Sequence, residues 1–384
     1  MKKVNKFGIN ILLTDCLGVA VSKFSLIYLV INMKNRLKLI GKILVSIILV
    51  FALIIGSYVI YVYAQYHRLP NDMKQTIKNP QTQQVELGQT YKMMTFNIGY
   101  GSYPPSFNFF MDGGDDVRAY SKSAVKSAIQ EDIRLINKEK PDFGNIQEID
   151  WQGDRSQQVN EPQMVRAGLP DYTSVLTQNY DSAYLFYPVT KPIGKAKSGI
   201  MTYSKYEIES STRYKLPIET NFNKFFDLDR AFSVSILPIK NSDKKFVIFN
   251  THLSAFITDQ KIQKQQLLTL FDEMKKYVSK GDYVICGADY NHALAGKAHP
   301  ELTWMKEFPT ENLTKGMRVV APTNAPTVRS LDYAYDKKNP KNTFGIIDGF
   351  LVSNNIKDLK IQTIDNQFKS SDHQPVVMDF SLEK

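Results

Sequence analysis

The chain has 384 residues and a formal net charge of +10, from 48 Lys and Arg against 38 Asp and Glu. The excess sits at one end: residues 1–65 hold eight basic side chains and one acid, Asp15, which leaves 40 basic against 37 acidic in the other 319 residues. A near-neutral body excludes a globally basic nucleic-acid platform, and two cysteines exclude a disulfide-stapled scaffold. The length supplies core for one large or two ordinary domains.

Ile43 to Tyr63 is a run of 21 residues without a charge, rich in Ile, Leu, Val and Phe. About 20 apolar residues span a bilayer as a helix, whereas a secretory apolar region is shorter. Tyr58, Tyr61 and Tyr63 collect at its C-terminal end, and Lys34, Arg36, Lys38 and Lys42 precede it. The positive-inside rule then predicts a single-pass protein of the cell membrane, with the N-terminus cytoplasmic and the rest outside. Residues 43–63 read as an uncleaved signal anchor that holds the chain in the lipid bilayer, behind a cytoplasmic and membrane-proximal segment, 1–42. For residues 1–32 two readings stand: an extension ahead of a natural start at Met33, or a second, weak membrane-associated helix. Residues 64–90, with Pro70, Asn71, Pro80 and repeated Gln, read as a polar stalk. Cys16 precedes the span and Cys286 lies in an apolar run, so no disulfide is expected.

Residues 91–384 alternate strand-like and helix-like segments. Strands are expected at Tyr91–Ile98, Phe143–Gln147, Tyr184–Val189, Gly199–Tyr203, Ala231–Pro238, Phe246–Asn250, Tyr283–Cys286, Phe344–Val352, Leu359–Ile364 and Val376–Phe380. Apolar residues at helical spacing predict amphipathic helices over Ser121–Asn137 and Ile262–Val278. Many strands with few helices in mixed order predict an α/β sandwich of two mixed sheets covered by helices.

Polar residues punctuate the ends of these runs: Asn97, Glu148, His252, Asp289, Asn291, Asp348, Asp372 and His373. Strand ends on one edge of a sheet bring residues distant in sequence into one cleft. Carboxylates and amide oxygens suit a hard divalent cation, Mg²⁺ first, with Mn²⁺ or Ca²⁺ as alternatives. Structural zinc would call for cysteine or paired histidine instead. Two histidines beside carboxylates supply a proton acceptor and a donor near neutral pH. Taken singly, each residue has a plainer role: Asn97 and Asn250 as strand terminators, Asp289-Tyr290-Asn291 as a turn, and Asp348-Gly349 as a hairpin turn.

Together, Thr95-Phe96-Asn97, Gln147-Glu148-Ile149-Asp150, Asn250-Thr251-His252-Leu253, Gly287-Ala288-Asp289-Tyr290-Asn291, Ile347-Asp348 and Ser371-Asp372-His373-Gln374-Pro375 resemble the endonuclease/exonuclease/phosphatase superfamily. Six motifs keep their order over about 290 residues. The resemblance implies a deoxyribonuclease I-like four-layer sandwich. It implies that Glu148 binds the metal, helped by Asn97 and Asp372, and that His373 is the base that activates water, oriented by Asp348. Asp289 and Asn291 would position the nucleophile and hold a phosphate oxygen, and His252 would contact the phosphate or assist the leaving group. Ala288, Tyr290 and Gly349-Phe350 depart from the usual pattern at positions that carry no ligand.

Arg155 is a candidate phosphate contact or a surface ion pair. Tyr184 and Tyr187 are candidates for a phosphate-contacting tyrosine or for core. Phe109 to Asp116 reads as a substrate rim or as a glycine-rich loop tucked into the body. The leading functional expectation is a membrane-anchored, metal-dependent phosphodiesterase acting on nucleic acid. A phosphatase or phospholipase C-type hydrolase of phospholipid or phosphoinositide head groups is the alternative, and a non-catalytic binding module a third class. No obligate protein partner is evident.

Overall fold

The computed structural model describes the backbone of residues 7–255 and 260–383 and the side chains of 22–255 and 261–383. Residues 1–6 and the side chains of Ile11 to Cys16, on which parts of the N-terminal reading rest, lie outside the described residues. The chain divides into two units, residues 1–64 and 65–384.

The first unit is helix α1, Phe7–Gln65. It runs without a break through the boundary expected at residues 32–43, so among the described residues no second helix is set apart from the anchor. The physical reason is that nothing stops it: Pro70 is the first proline of the chain. Its 59 residues would extend about 88 Å at a rise of about 1.5 Å each. Ser22–Gln65 is long and apolar enough to cross a membrane.

In the second unit, two seven-stranded mixed sheets face each other. The first places Ile356–Thr363, Val376–Leu382, Thr90–Asn97, Phe143–Gly153, Ala196–Ser204, Thr173–Asp181 and Ile77–Lys78 side by side. The second orders Met73–Lys74, Ser210–Lys215, Ala231–Pro238, Lys245–His252, Tyr283–Asp289, Asp348–Ser353 and Met317–Val320. Met93, Phe143, Phe246, Ile285, Phe350 and Phe380 fill the space between them. Helix α2, Lys122–Glu139, lays Val125, Ile129 and Ile136 on the outer face of the first sheet, joined there by α3, Glu161–Gly168. Helix α4, Gln260–Val278, lays Leu267, Leu270, Phe271 and Met274 on the outer face of the second. The four layers expected from the alternating pattern are all present.

Some elements differ from expectation. Residues 65–90 are not a free stalk: Met73–Lys74 pairs with Ser210–Lys215, Ile77–Lys78 pairs with Thr173–Asp181, and Val85 is fully buried. Short β-capable pieces set between prolines and glutamines join sheet edges, and their polar neighbours hide them. Tyr184–Val189 makes only a single bridge, Leu185 to Gly194, because the segment turns at Pro188. The strands Thr173–Asp181 and Ser210–Lys215 escape the sequence pattern because their sequences are largely polar.

Asp132 stands on the apolar face of α2 and is 1% exposed. Burial pushes its carboxyl well above the usual range. Folding therefore takes up a proton there, and the burial of Asp132 destabilises the fold increasingly as pH rises above the ordinary carboxylate value of about 3.9. Asp132→Asn should raise the melting temperature, by more at pH 8 than at pH 5. Equal shifts at the two pH values, measured by calorimetry, would show that Asp132 is ionised in the folded protein.

Candidate active site

One edge of the sandwich collects the polar residues, and the strand registers explain how. Asp289 lies opposite His252 on one side and Asp348 on the other. Val376 lies opposite Thr95, which brings the Ser371–Pro375 turn to the same end as Asn97. Glu148 sits at a bulge between Ile146 and Ile149 with φ 55°, an unusual backbone for a glutamate. Gly99, with φ +54°, lets the chain turn past Ser371 and Asp372, where a Cβ would meet Tyr103 and the Ser371 hydroxyl. The Gly99 amide donates to Asn97 Oδ1 at 3.0 Å.

At the centre, His373 Nδ1 lies 2.9 Å from Asp348 Oδ2. Asp348 is held in turn, since its amide and that of Ile347 donate to the Thr327 hydroxyl at 3.1 and 3.0 Å. The other ring nitrogen, Nε2, faces Asn97 Nδ2 at 3.4 Å, Asp289 Oδ2 at 3.7 Å and Asp372 Oδ2 at 3.9 Å. His252 Nε2 lies 3.5 Å from Asp289 Oδ2 and 3.7 Å from Glu148 Oε1. Asn97 Nδ2 donates to Asp289 Oδ2 at 3.0 Å. Asn291 takes φ 50°, its amide donates to Asp289 Oδ1 at 2.9 Å, and its side chain donates to the Leu253 carbonyl at 2.6 Å. The turn at Asp289–Asn291 is therefore real and also belongs to the site. Asp348 is no hairpin turn: it begins a strand and is fully buried.

The electrostatics separate the two histidines. Burial, then Arg230, His373 and Arg155, pushes His252 well below the ordinary imidazole range. Burial also opposes charge on His373, but Asp348, Asp372 and Asp289 outweigh it and hold that ring well above the range. Burial, reinforced by Asp372, pushes Glu148 up to about 7. Burial likewise lifts Asp289 to about 7, with Asp348 adding to it and His373 opposing. Two imidazoles driven in opposite directions beside crowded carboxylates mark a catalytic centre more than a structural one. Glu148 with His252 and Asp289, and Asp289 with Asp348 and His373, each bring their ligand atoms within 4.8 Å of one another.

The site forms the floor of a cavity of about 840 Å³ whose lining includes Glu148, His252, Asp289, Asn291, Asp372 and His373. Arg155 also lines it, but its guanidinium is committed. It pairs with the buried Asp150 at 3.0 Å, donates to Ser198 at 3.1 Å and lies 3.4 Å from the centre of the Tyr100 ring. Neither a free phosphate contact nor a surface ion pair describes it. Tyr184 does not line the cavity; its ring packs on Phe186, and Tyr187 takes the cavity wall instead. Phe109 to Asp112 line the cavity, and the half-buried Phe109 packs on Tyr103 and Phe107. His292 is buried away from the cavity with Nδ1 2.6 Å from the Tyr290 carbonyl.

Two residues have no signal in the sequence. Arg230 donates to the His252 and Leu253 carbonyls and to Asp227, fixing the loop after His252. Arg329 is 1% exposed and donates to the Tyr103, Pro104 and Phe107 carbonyls, fixing the loop after Asn97. No spacing marks a lone arginine whose partners are backbone carbonyls.

No family model matches this sequence, and no curated protein matches it. Solved structures do. An endonuclease/exonuclease/phosphatase from Beutenbergia cavernae superposes with a TM-score of 0.52 at 16% identity, covering 77% of this chain and 72% of that one. One from Bacteroides vulgatus gives 0.50 at 18%, covering 77% and 100%. D. rerio TDP2, complexed with single-strand DNA product, gives 0.50 at 12%, covering 76% and 99%. With two mixed sheets, helices on both outer faces and these neighbours, the chain has the fold of the endonuclease/exonuclease/phosphatase superfamily.

Proposed function

We propose that this chain is a divalent-metal-dependent phosphoester hydrolase in which a water molecule attacks phosphorus. The observation that carries the reading is the His373–Asp348 pair, with the free edge of the imidazole facing Asn97, Asp289 and Asp372 at 3.4–3.9 Å. A neighbour of the same fold that holds a DNA product supports phosphodiester chemistry for the fold, though not for this chain's substrate.

The residues present fit a hard cation. Glu148 and Asp372 lie in each other's field, the carboxylate crowding that a divalent ion relieves, and Asn97 adds an amide oxygen. Mg²⁺ held by Glu148, Asp372 and Asn97 would neutralise charge on a phosphate oxygen. The chain's own groups do the rest. Asp348 holds the Nδ1 proton of His373, so that Nε2 is the position that accepts a proton from water. Positive charge at Glu148 and Asp372 opposes the carboxylates that keep a proton on that ring. Asp289 and the Asn97 amide orient the attacking oxygen between the two histidines. His252, kept neutral by burial and by Arg230, donates a hydrogen bond to a phosphate oxygen or to the departing oxygen. Asn291 holds the loop that carries Leu253 and faces the bound phosphate.

Glu148→Gln should abolish Mg²⁺-dependent hydrolysis of bis(p-nitrophenyl) phosphate without loss of fold, because a neutral amide is a poorer ligand for a hard cation. Wild-type turnover at limiting Mg²⁺ would refute the assignment. Removing a general base costs roughly 10²–10⁴-fold in rate, so His373→Ala should lose at least that in kcat. Asp348→Asn should lose less. The double variant should be little worse than His373→Ala alone, because two groups that act as a unit are not additive. Fully additive losses would make Asp348 an independent residue and end the dyad.

The charge asymmetry around Ile43–Tyr63 leads us to place the second unit outside the cell membrane. Protease added to intact cells should release it. Complete protection of the domain would reverse the topology.

A further inference from the structure

The site residues in the cavity are polar, and aromatic and aliphatic side chains gather around them. Phe110 and Met111 from one segment, and Tyr187, Phe226 and Trp304 from three others, line the cavity. Phe110 and Tyr187 pack on each other with ring centres 5.8 Å apart. Three of these residues are open to solvent: Met111 is 63% exposed, Tyr187 66% and Phe226 44%. The loop that carries Tyr187 adds Phe186, 55% exposed, and Val189, 85% exposed. Single exposed apolar side chains are ordinary, but a set gathered around one opening marks an interaction surface.

A nucleic-acid strand is a poor occupant of such a site. It needs cations along its path, and the three arginines that line the cavity are already engaged: Arg155 by Asp150, Arg230 by Asp227, and Arg329 by backbone carbonyls. Asp112, Asp227, Glu301 and Asp332 add carboxylates to the wall.

The entry of the chain into this unit points to the occupant. The apolar helix ends at Gln65. Directly afterwards, the Tyr66 ring packs edge-on against Phe225 at 5.2 Å, and Arg68 donates to the Asp229 carbonyl at 2.8 Å and to that of Leu216. The segment that receives them carries Phe226 and Leu228 into the cavity wall. Tyr66 and Arg68, both within this unit, thus brace the segment that lines the cavity.

We propose that the exposed apolar rim docks on a lipid bilayer and that the phosphoester entering the cavity is a bilayer phospholipid. The inference rests on the hydrolase reading for its chemistry but not for its geometry. The head-group phosphate reaches Glu148, Asp372 and His373 at the floor, while the diacylglycerol portion lies along the aromatic wall. Water forms a new bond to phosphorus and gives up its proton to His373. The bond from phosphorus to the diacylglycerol oxygen breaks, and that oxygen leaves as an alcohol after taking a proton. The products are diacylglycerol and a phosphorylated head group.

The test uses the full-length chain in nanodiscs of phosphatidylcholine and phosphatidylglycerol, with and without bromine on the acyl chains. The protein has two tryptophans, so Val189→Trp adds one reporter. Its emission should be quenched by brominated lipid beyond the quenching seen in the unsubstituted protein. No added quenching overturns the docking rim. In the same discs, Phe186→Ser with Val189→Ser should lower Mg²⁺-dependent phospholipid hydrolysis at least tenfold while leaving hydrolysis of bis(p-nitrophenyl) phosphate unchanged. Hydrolysis of DNA or RNA oligonucleotides with no action on phospholipid overturns the substrate. If no phosphoester of any kind is hydrolysed, the hydrolase reading fails, and the quenching result still decides the rim.

Discussion

Asn145, Gln147 and Asn250 carry hydrogen bonds from one sheet to the other just behind the site, and its geometry depends on them. Asn145 Nδ2 donates to the Phe249 and Gly287 carbonyls, each at 2.8 Å. Gln147 Nε2 donates to Asn250 Oδ1 at 2.8 Å, and Asn250 Nδ2 donates to the Met201 carbonyl at 3.1 Å. All three side chains are fully buried. A purely apolar interface would let the sheets slide by fractions of an ångström, whereas directional bonds in a dry interior set one register. Gly287 permits the close approach, because a Cβ there would meet Phe350 and Thr95. The seam thus fixes Asn97 and Glu148, which belong to one sheet, against His252, Asp289 and Asp348, which belong to the other.

That fixed geometry has an electrostatic consequence. Four carboxylates and two imidazoles crowd one largely buried space, and their charges act on one another. Asp348 and Asp289 lie in the same field, yet only Asp348 is within hydrogen-bond distance of His373 Nδ1. Asp372 adds to the cost of ionising the buried Glu148, and His373 and Arg155 offset only part of it. Arginine does not neutralise the cluster, since Arg155, Arg230 and Arg329 are spent on Asp150, Asp227 and loop carbonyls. A protein that buries this much negative charge and directs its arginines elsewhere leaves room for an external cation.

Much of this was legible in the sequence because the informative residues sit at the ends of strongly patterned strands. Thr90–Asn97, Lys245–His252 and Tyr283–Asp289 are apolar runs with a polar terminus, and the amphipathic α2 and α4 announce a covered sheet. What escaped was set by tertiary context. Thr173–Asp181 pairs as an interior strand of its sheet although most of its residues are polar. Residues 73–78 join edges through two-residue pieces too short to carry a period. Arg155 read as a phosphate contact or a surface ion pair, and only the fold brings Asp150 and Tyr100 around it. The bulge that turns Glu148 inward is a backbone feature with no residue signature, since glutamate rarely takes that conformation.

The proposed cation site is built from Glu148 and Asp372, and cation binding can be measured without any substrate. The full-length protein should melt at progressively higher temperature as Mg²⁺ is raised, because a ligand bound only by the folded state stabilises it by mass action. Asp372→Asn together with Glu148→Gln should melt at a temperature that Mg²⁺ does not change. An Mg²⁺-dependent rise of equal size in that double variant, or none in the unsubstituted protein, would contradict the account.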